Sequence, residues 1–202
     1  MKQLPLPAQL YVSAVIAVGA VLLAVFFPLH SFPHAWWFLA LLLLSSVASA
    51  FKVNLPLARS GSTMSVSYAV DFLSLIMLGP SQTMIVGATS AWSQCTFRMT
   101  TKNTLYRTLF SMASLVISVQ AAGFVFTQLG GTPGVGALGI ARMAKPLVGA
   151  AFGYFMANTL LVATAIALST RQSVFKVWNE NFLWSAPSYF VALPPPERAP
   201  AS

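Results

Sequence analysis

Asp71 is the one acidic residue inside the apolar stretches of this sequence; Glu180 and Glu197 lie toward its C-terminal end. An ionisable side chain inside a membrane-crossing helix costs at least a few kcal/mol near the bilayer centre, so where it is kept it binds, relays or gates something. Other side chains offer the remaining chemistry of a small amphipathic site: Trp92 as an aromatic wall, Gln94 and Asn158 as amides, and Arg98 as a guanidinium. Asp71, Trp92, Gln94, Arg98 and Asn158 are therefore the candidate ligand-binding residues. Each also has a plainer reading. Asp71 near a helix start can complement the helix dipole or pair with Arg59 or Arg98. Gln94, Gln120 and Asn158 can serve as hydrogen-bonding glue between helices, and Trp92 can anchor at the headgroup level.

Catalysis finds little support. The chain has three acids in all and no GxSxG, HExxH or P-loop pattern. No pair of carboxylates shares a helix face, so we expect no catalytic residue and no enzyme. His30 and His34 flank one turn, but no carboxylate or cysteine joins them in sequence, which leaves them as loop histidines rather than metal ligands. The single cysteine, Cys95, cannot close a disulfide within the chain and sits in an apolar stretch as a small packing residue. Nothing in the sequence names a cofactor.

The elements that must position these residues are membrane helices. Of the 202 residues 57% are hydrophobic and 7% charged, against about 25% charged in soluble domains. Apolar segments at 7–29, 35–51, 69–78, 81–97, 104–129 and 146–170 predict an all-α integral membrane protein, about six transmembrane helices in one bundle over residues 1–193. The third segment is too short to cross alone unless it extends back through 65–68. Gly79 and Pro80 form a tight turn between segments three and four, with Ser81 as N-cap. The stretch 52–68 is polar, broken by Pro56 and Gly61, and has a period of two, as expected of an extended loop. The glycine-rich run GGTPGVGALG at 130–139 predicts a further loop. Gly149, Ala150, Gly153 and Ala157 give segment six a small-residue face for helix packing or for a homodimer. Residues 174–193 mix Phe175, Trp178, Phe182, Trp184 and Tyr189 with polar residues, which predicts a short interfacial C-terminal helix. The proline-rich 194–202 reads as a tail or linker.

The net charge of +8 is spread over segment ends rather than gathered in a run, which argues against nucleic acid and for membrane topology. With six crossings, Lys2, Lys52, Arg59, Arg98, Lys102, Arg107, Arg171 and Lys176 fall on one side, so both termini are expected to be cytoplasmic in a multi-pass protein of the cell membrane. Arg142 and Lys145 fall on the other side, misplaced by the charge rule or facing an anionic ligand.

The stretch 53–97, VNLPLARSGSTMSVSYAVDFLSLIMLGPSQTMIVGATSAWSQCTF, resembles the membrane-integral N-terminal sensory modules that precede GGDEF, HD-GYP or histidine kinase domains in bacteria. The resemblance rests on the extended Ser/Thr-rich loop, the short helix and the LGP turn. It implies about six helices, a cytoplasmic C-terminus and signal transduction to a cytoplasmic output domain or partner. A fold-level similarity to the substrate-binding component of energy-coupling-factor vitamin transporters implies instead capture of a small solute by the bundle. A third reading is a structural subunit that docks into a larger membrane complex through its small-residue faces.

Overall fold

The computed structural model describes residues 4–27, 35–50, 52–54, 63–65, 67–96, 104–134 and 140–182. These form, in order, α1 (Leu6–Val25), α2 (Ala35–Ala50), β1 (Lys52–Asn54), β2 (Thr63–Ser65), α3 (Ser67–Leu78), α4 (Pro80–Thr96), α5 (Leu105–Gln128), α6 (Ile140–Thr170) and α7 (Val174–Asn181). The expected helical architecture is present. Three helices are long and apolar enough to cross a bilayer: Leu6–Val25, Leu105–Gln128 and the Ala144–Thr170 part of α6. Ala35–Ser49 and Tyr68–Leu78 are apolar but shorter. The six crossings expected from sequence are thus met in full length by three helices. With 12 residues, α3 measures about 18 Å, well short of a hydrocarbon core of roughly 30 Å.

In α1, Ala8, Val12, Val15 and Gly19 are buried, a stripe spaced by four, three and four residues, while Leu6, Leu10, Val18, Val21 and Val25 stay exposed. One stripe faces protein and the rest of an apolar cylinder is left for lipid. The polar sequence of α4 has the opposite cause. Nine of its 17 residues are buried, because α2, α3 and α5 pack around it, so its amides and hydroxyls face protein rather than hydrocarbon.

Helix α5 is the hub, packed against α1, α3, α4 and α6. It accepts them through small residues. A Cβ added to Gly19 of α1 would lie 2.5 Å from Ala113 Cβ and 2.7 Å from Ala113 Cα, and one on Gly123 would lie 2.5 Å from the Pro80 ring. The small-residue face expected on segment six is taken up within the chain: Gly153 lies against Val125, and Gly149 against Leu129 and Val125. The main core gathers Leu75, Met84, Val116, Val119, Phe126 and Tyr154 from four helices.

Several boundaries differ from the sequence expectations. Segment six begins at Ile140, six residues before Pro146, which stands inside the helix. As the seventh residue of the helix, Pro146 lies beyond the first turn, so it leaves the carbonyl of residue 142 without its helical N–H donor, a local cost at one position. Within the polar stretch 52–68, β1 and β2 pair antiparallel with Lys52 opposite Ser65, Val53 opposite Met64 and Asn54 opposite Thr63. That is the ordered form of its period-two pattern. The C-terminal helix ends at Asn181, and residues 183–202, including the expected continuation to 193 and the proline-rich tail, lie outside the described residues.

Left-handed backbone occurs at three helix ends, at Gly130 (φ 85°) after α5 and at two further turns. Gly79, at φ 82°, reverses the chain between α3 and α4, and its N–H bonds Leu75 O at 3.1 Å. Arg171, at φ 55°, does the same between α6 and α7 without being glycine. An L-residue there costs roughly 1–2 kcal/mol.

The nature of the obstacle, more than its distance, sets the cost of filling these contacts. Gly19→Ala drives a methyl into the backbone of α5, whereas Gly149→Ala meets chiefly the movable tip of Leu129. Gly19→Ala should destabilise the detergent-solubilised bundle by about 1–3 kcal/mol and Gly149→Ala by less. Reversible denaturant unfolding of the two variants checks the order, and equal losses would contradict it.

Candidate functional site

Asp71 is the fifth residue of α3, in its second turn rather than at its cap, and is 2% exposed. Its partners come from two other helices. Ser45 Oγ of α2 donates to Asp71 Oδ1 at 3.2 Å. The Tyr154 hydroxyl of α6 reaches Oδ2 at 3.5 Å, at the outer limit of a hydrogen bond. Ser45 is inward because Leu41, Ser45 and Ser49 are buried at intervals of four along α2. Tyr154 is inward because Ala150, one turn earlier on the same face, is also fully buried. Its ring is tilted at 57° on Phe72, the residue next to Asp71 in α3, with centroids 5.4 Å apart.

A narrow cavity of about 10 Å³ lies beside this cluster, between Asp71 and Tyr154 and walled by Phe72, Leu75, Thr83, Val119 and Ala122. Its free space admits about one water molecule. Thr83 turns its hydroxyl proton onto Gly79 O at 2.8 Å, leaving oxygen lone pairs as acceptors. A wider, more open cleft of about 510 Å³ is bounded by Val25, Phe26, Phe27, the Gly79–Pro80 turn, Gln82 and Pro133. Gln82 of the cleft and Thr83 of the cavity are consecutive, so the two spaces lie on adjacent faces of one helical turn. A carboxyl supported by neutral hydroxyls in apolar surroundings can take a proton, a small cation or the hydrogen-bonding group of a polar solute.

The candidate residues read from sequence are not gathered at one place. The cavity includes Asp71 but not Trp92, Gln94 or Asn158. Trp92 is 51% exposed on α4, as suits an anchoring residue, while Gln94 and Asn158 are half-buried. Arg98 and Arg59 lie outside the described residues, as do His30 and His34. Gln120 acts as interhelical glue, its amide donating to the Met84 sulfur at 3.1 Å. Ser45, Tyr154 and Thr83 were not singled out by sequence. The signal available for Ser45 was its four-residue spacing from Leu41 and Ser49.

Helix α6 carries a second polar contact five residues beyond Tyr154. Trp178 Nε1 of α7 donates to Thr159 Oγ1 at 3.0 Å, and Thr159 in turn donates to Phe155 O at 2.7 Å. Val177 of α7, 2% exposed, packs on Ala163 and Ala167 of α6.

If the Asp71 cluster is a cooperating unit, Ser45→Ala should cost about 0.5–1.5 kcal/mol in the native bundle and almost nothing once Asp71 is alanine. A double-mutant cycle by reversible unfolding measures this, and additive losses would show that the two side chains act separately.

No curated protein and no solved structure shows significant similarity to the chain. One family model, MASE9, does match, and it covers residues 15–196, from the first half of α1 past the end of α7. That span takes in Ser45, Asp71, Tyr154 and the α6–α7 contact together. The chain belongs to the MASE9 family and is a membrane-associated sensory domain.

Proposed function

We propose that the chain is the input module of a signalling protein, crossing the cell membrane six times with both termini cytoplasmic, and that it has no catalytic role of its own. A small polar solute or ion enters at the cleft beside Phe26, Phe27 and Gln82 and is sensed at Asp71. The signal leaves through α6 and α7 toward a cytoplasmic output domain or partner. The observation that carries this reading is the buried Asp71 carboxyl shared by three helices beside a cavity. A group bridging α2, α3 and α6 has different hydrogen-bond demands with and without a ligand or proton, so it biases their relative placement. Trp92, Gln94, Arg98 and Asn158 then serve packing, anchoring or the approaches to the site rather than its centre.

The test is purification of the chain in mild detergent followed by mass spectrometry of the small molecules and proteins retained with it, in parallel with Asp71→Asn. A solute or ion retained by the native chain and lost by at least tenfold in Asp71→Asn, with no membrane subunit accompanying it, is the expected result. A retained solute together with an energising membrane partner would replace the sensory reading by transport. Stoichiometric membrane subunits with no solute would replace it by a structural role.

A further inference from the structure

The junction between α6 and α7 falls where the apolar segment ends at residue 170, yet no helix-breaking residue stands there. Residues 168–176, LSTRQSVFK, contain neither glycine nor proline, and such a run continues a helix at little cost. The break rests on Arg171, whose φ of 55° makes it the one non-glycine residue with left-handed backbone among the described residues. The Gln172 N–H closes the end of α6 on Ala167 O at 3.0 Å, the long return bond of a left-handed helix cap. That cap ordinarily takes glycine. Ser173 is extended, at φ −68° and ψ 135°, and its side chain makes no capping hydrogen bond to α7.

What holds the bend is therefore docking. Val177, 2% exposed, sits on Ala163 and Ala167, flanked by Val174, Trp178 and Phe182. The indole N–H of Trp178 reaches Thr159 at 3.0 Å. Thr159 spends its own proton on Phe155 O, so its oxygen is oriented as an acceptor. The other face of α7 is uncovered among the described residues: Phe175 is 73% exposed, and Lys176, Asn179 and Glu180 are exposed as well.

We propose that this docked α7 is one of two states, the other being a single continuous helix from residue 140 to 181 in which Arg171, Gln172 and Ser173 adopt helical backbone. The straight form relieves the left-handed residue and supplies helical hydrogen bonds to the junction, but loses the Val177 and Trp178 contacts. Each form thus gains what the other loses, and a switch requires the two to lie within a few kcal/mol of each other. Its use as an output relay rests on the sensory reading. Tyr154 and Thr159, five residues apart, lie about 140° apart around α6, so one faces Asp71 and the other faces α7. Because α7 packs chiefly on α6, a rigid rotation of α6 would carry it along, and the link from Asp71 to the Trp178 contact runs instead through a change in α6 between Tyr154 and Thr159.

The experiment measures the distance between spin labels on Phe152→Cys and Asn179→Cys, both exposed positions, in the full chain with Cys95→Ser, reconstituted in lipid nanodiscs. The docked form gives a separation under about 20 Å and the straight form about 40 Å. The native background should show mainly the short distance, and Trp178→Phe, Thr159→Val and the milder Val177→Ala should each raise the long one. Arg171→Gly, added to Trp178→Phe, should restore the short distance by about tenfold, because glycine takes the left-handed backbone freely and resists the straight helix. A single short distance in every variant overturns the proposal, as does a long distance that Arg171→Gly fails to reverse. If Asp71→Asn also moves the distribution, the switch is wired to the buried carboxyl. If the distribution answers to Trp178 and Arg171 but ignores Asp71, the switch stands and the sensing role of Asp71 falls.

Discussion

The arrangement of this bundle depends on how closely other helices can approach α5. Between helices immersed in lipid, apolar burial offers little net drive, because acyl chains solvate leucine as well as another helix does. Close backbone approach, which multiplies van der Waals contacts, has to take its place. At Gly19 against Ala113, at Gly123 against Pro80, and at Gly153 against Val125, the interface has no room for a larger residue without displacement. These contacts tie α1, the head of α4 and α6 to three stretches of one central helix. With α4 and α6 so placed, the short α3, joined to α4 by one residue, has its inner face held against α6. The meeting of Asp71 with Tyr154 follows from that geometry.

The same constraint explains how an acid is tolerated at 2% exposure. In a wholly apolar interface the carboxyl would meet no donor. Here α2 brings a serine and α6 a tyrosine, and polar α4 lines the neighbouring space with Thr83. Two neutral hydroxyls moderate the cost of burial but do not cancel a charge as a guanidinium would. A site compensated in this partial way keeps a reason to respond to whatever arrives, whereas a complete ion pair would be inert. The shortness of α3 contributes, since a helix of about 18 Å needs fewer contacts to shift than a full crossing.

Much of the fold is legible in the sequence where a single element carries its own signal. The long apolar runs of α1 and α5, the Gly79–Pro80 turn and the small-residue face of α6 all correspond to local patterns, and the structure contains each of them. The start of α6 was hidden by Pro146, because proline is read as a helix beginning, whereas here it stands in the second turn. The site was legible only in Asp71. Ser45 lies 26 residues before it and Tyr154 83 residues after it, and a serine or tyrosine in a membrane helix looks the same whether it serves packing or a carboxyl. Trp92 and Gln94 drew notice for their chemistry, yet the face of α4 that carries Trp92 points away from the core. Which way a helix turns is decided by its neighbours.

Helix α6 is in contact with several of the others. It touches α5 through Gly149 and Gly153, Asp71 through Tyr154, α1 through Leu161 O, which accepts from the Tyr11 hydroxyl at 3.2 Å, and α7 through Thr159. These contacts differ in stiffness. The glycine contacts are backbone-close and hold position, whereas the long Tyr154 contact and the single indole bond are side-chain contacts, which small local shifts can make or break. A rotation about the α5 contact therefore costs little at the pivot and is felt mainly at Tyr154, because α7 packs chiefly on α6 and moves with it. Arg171 holds its bend against its own backbone preference, so under the proposed switch the Val177 and Trp178 contacts decide the direction that α7 takes from the end of α6.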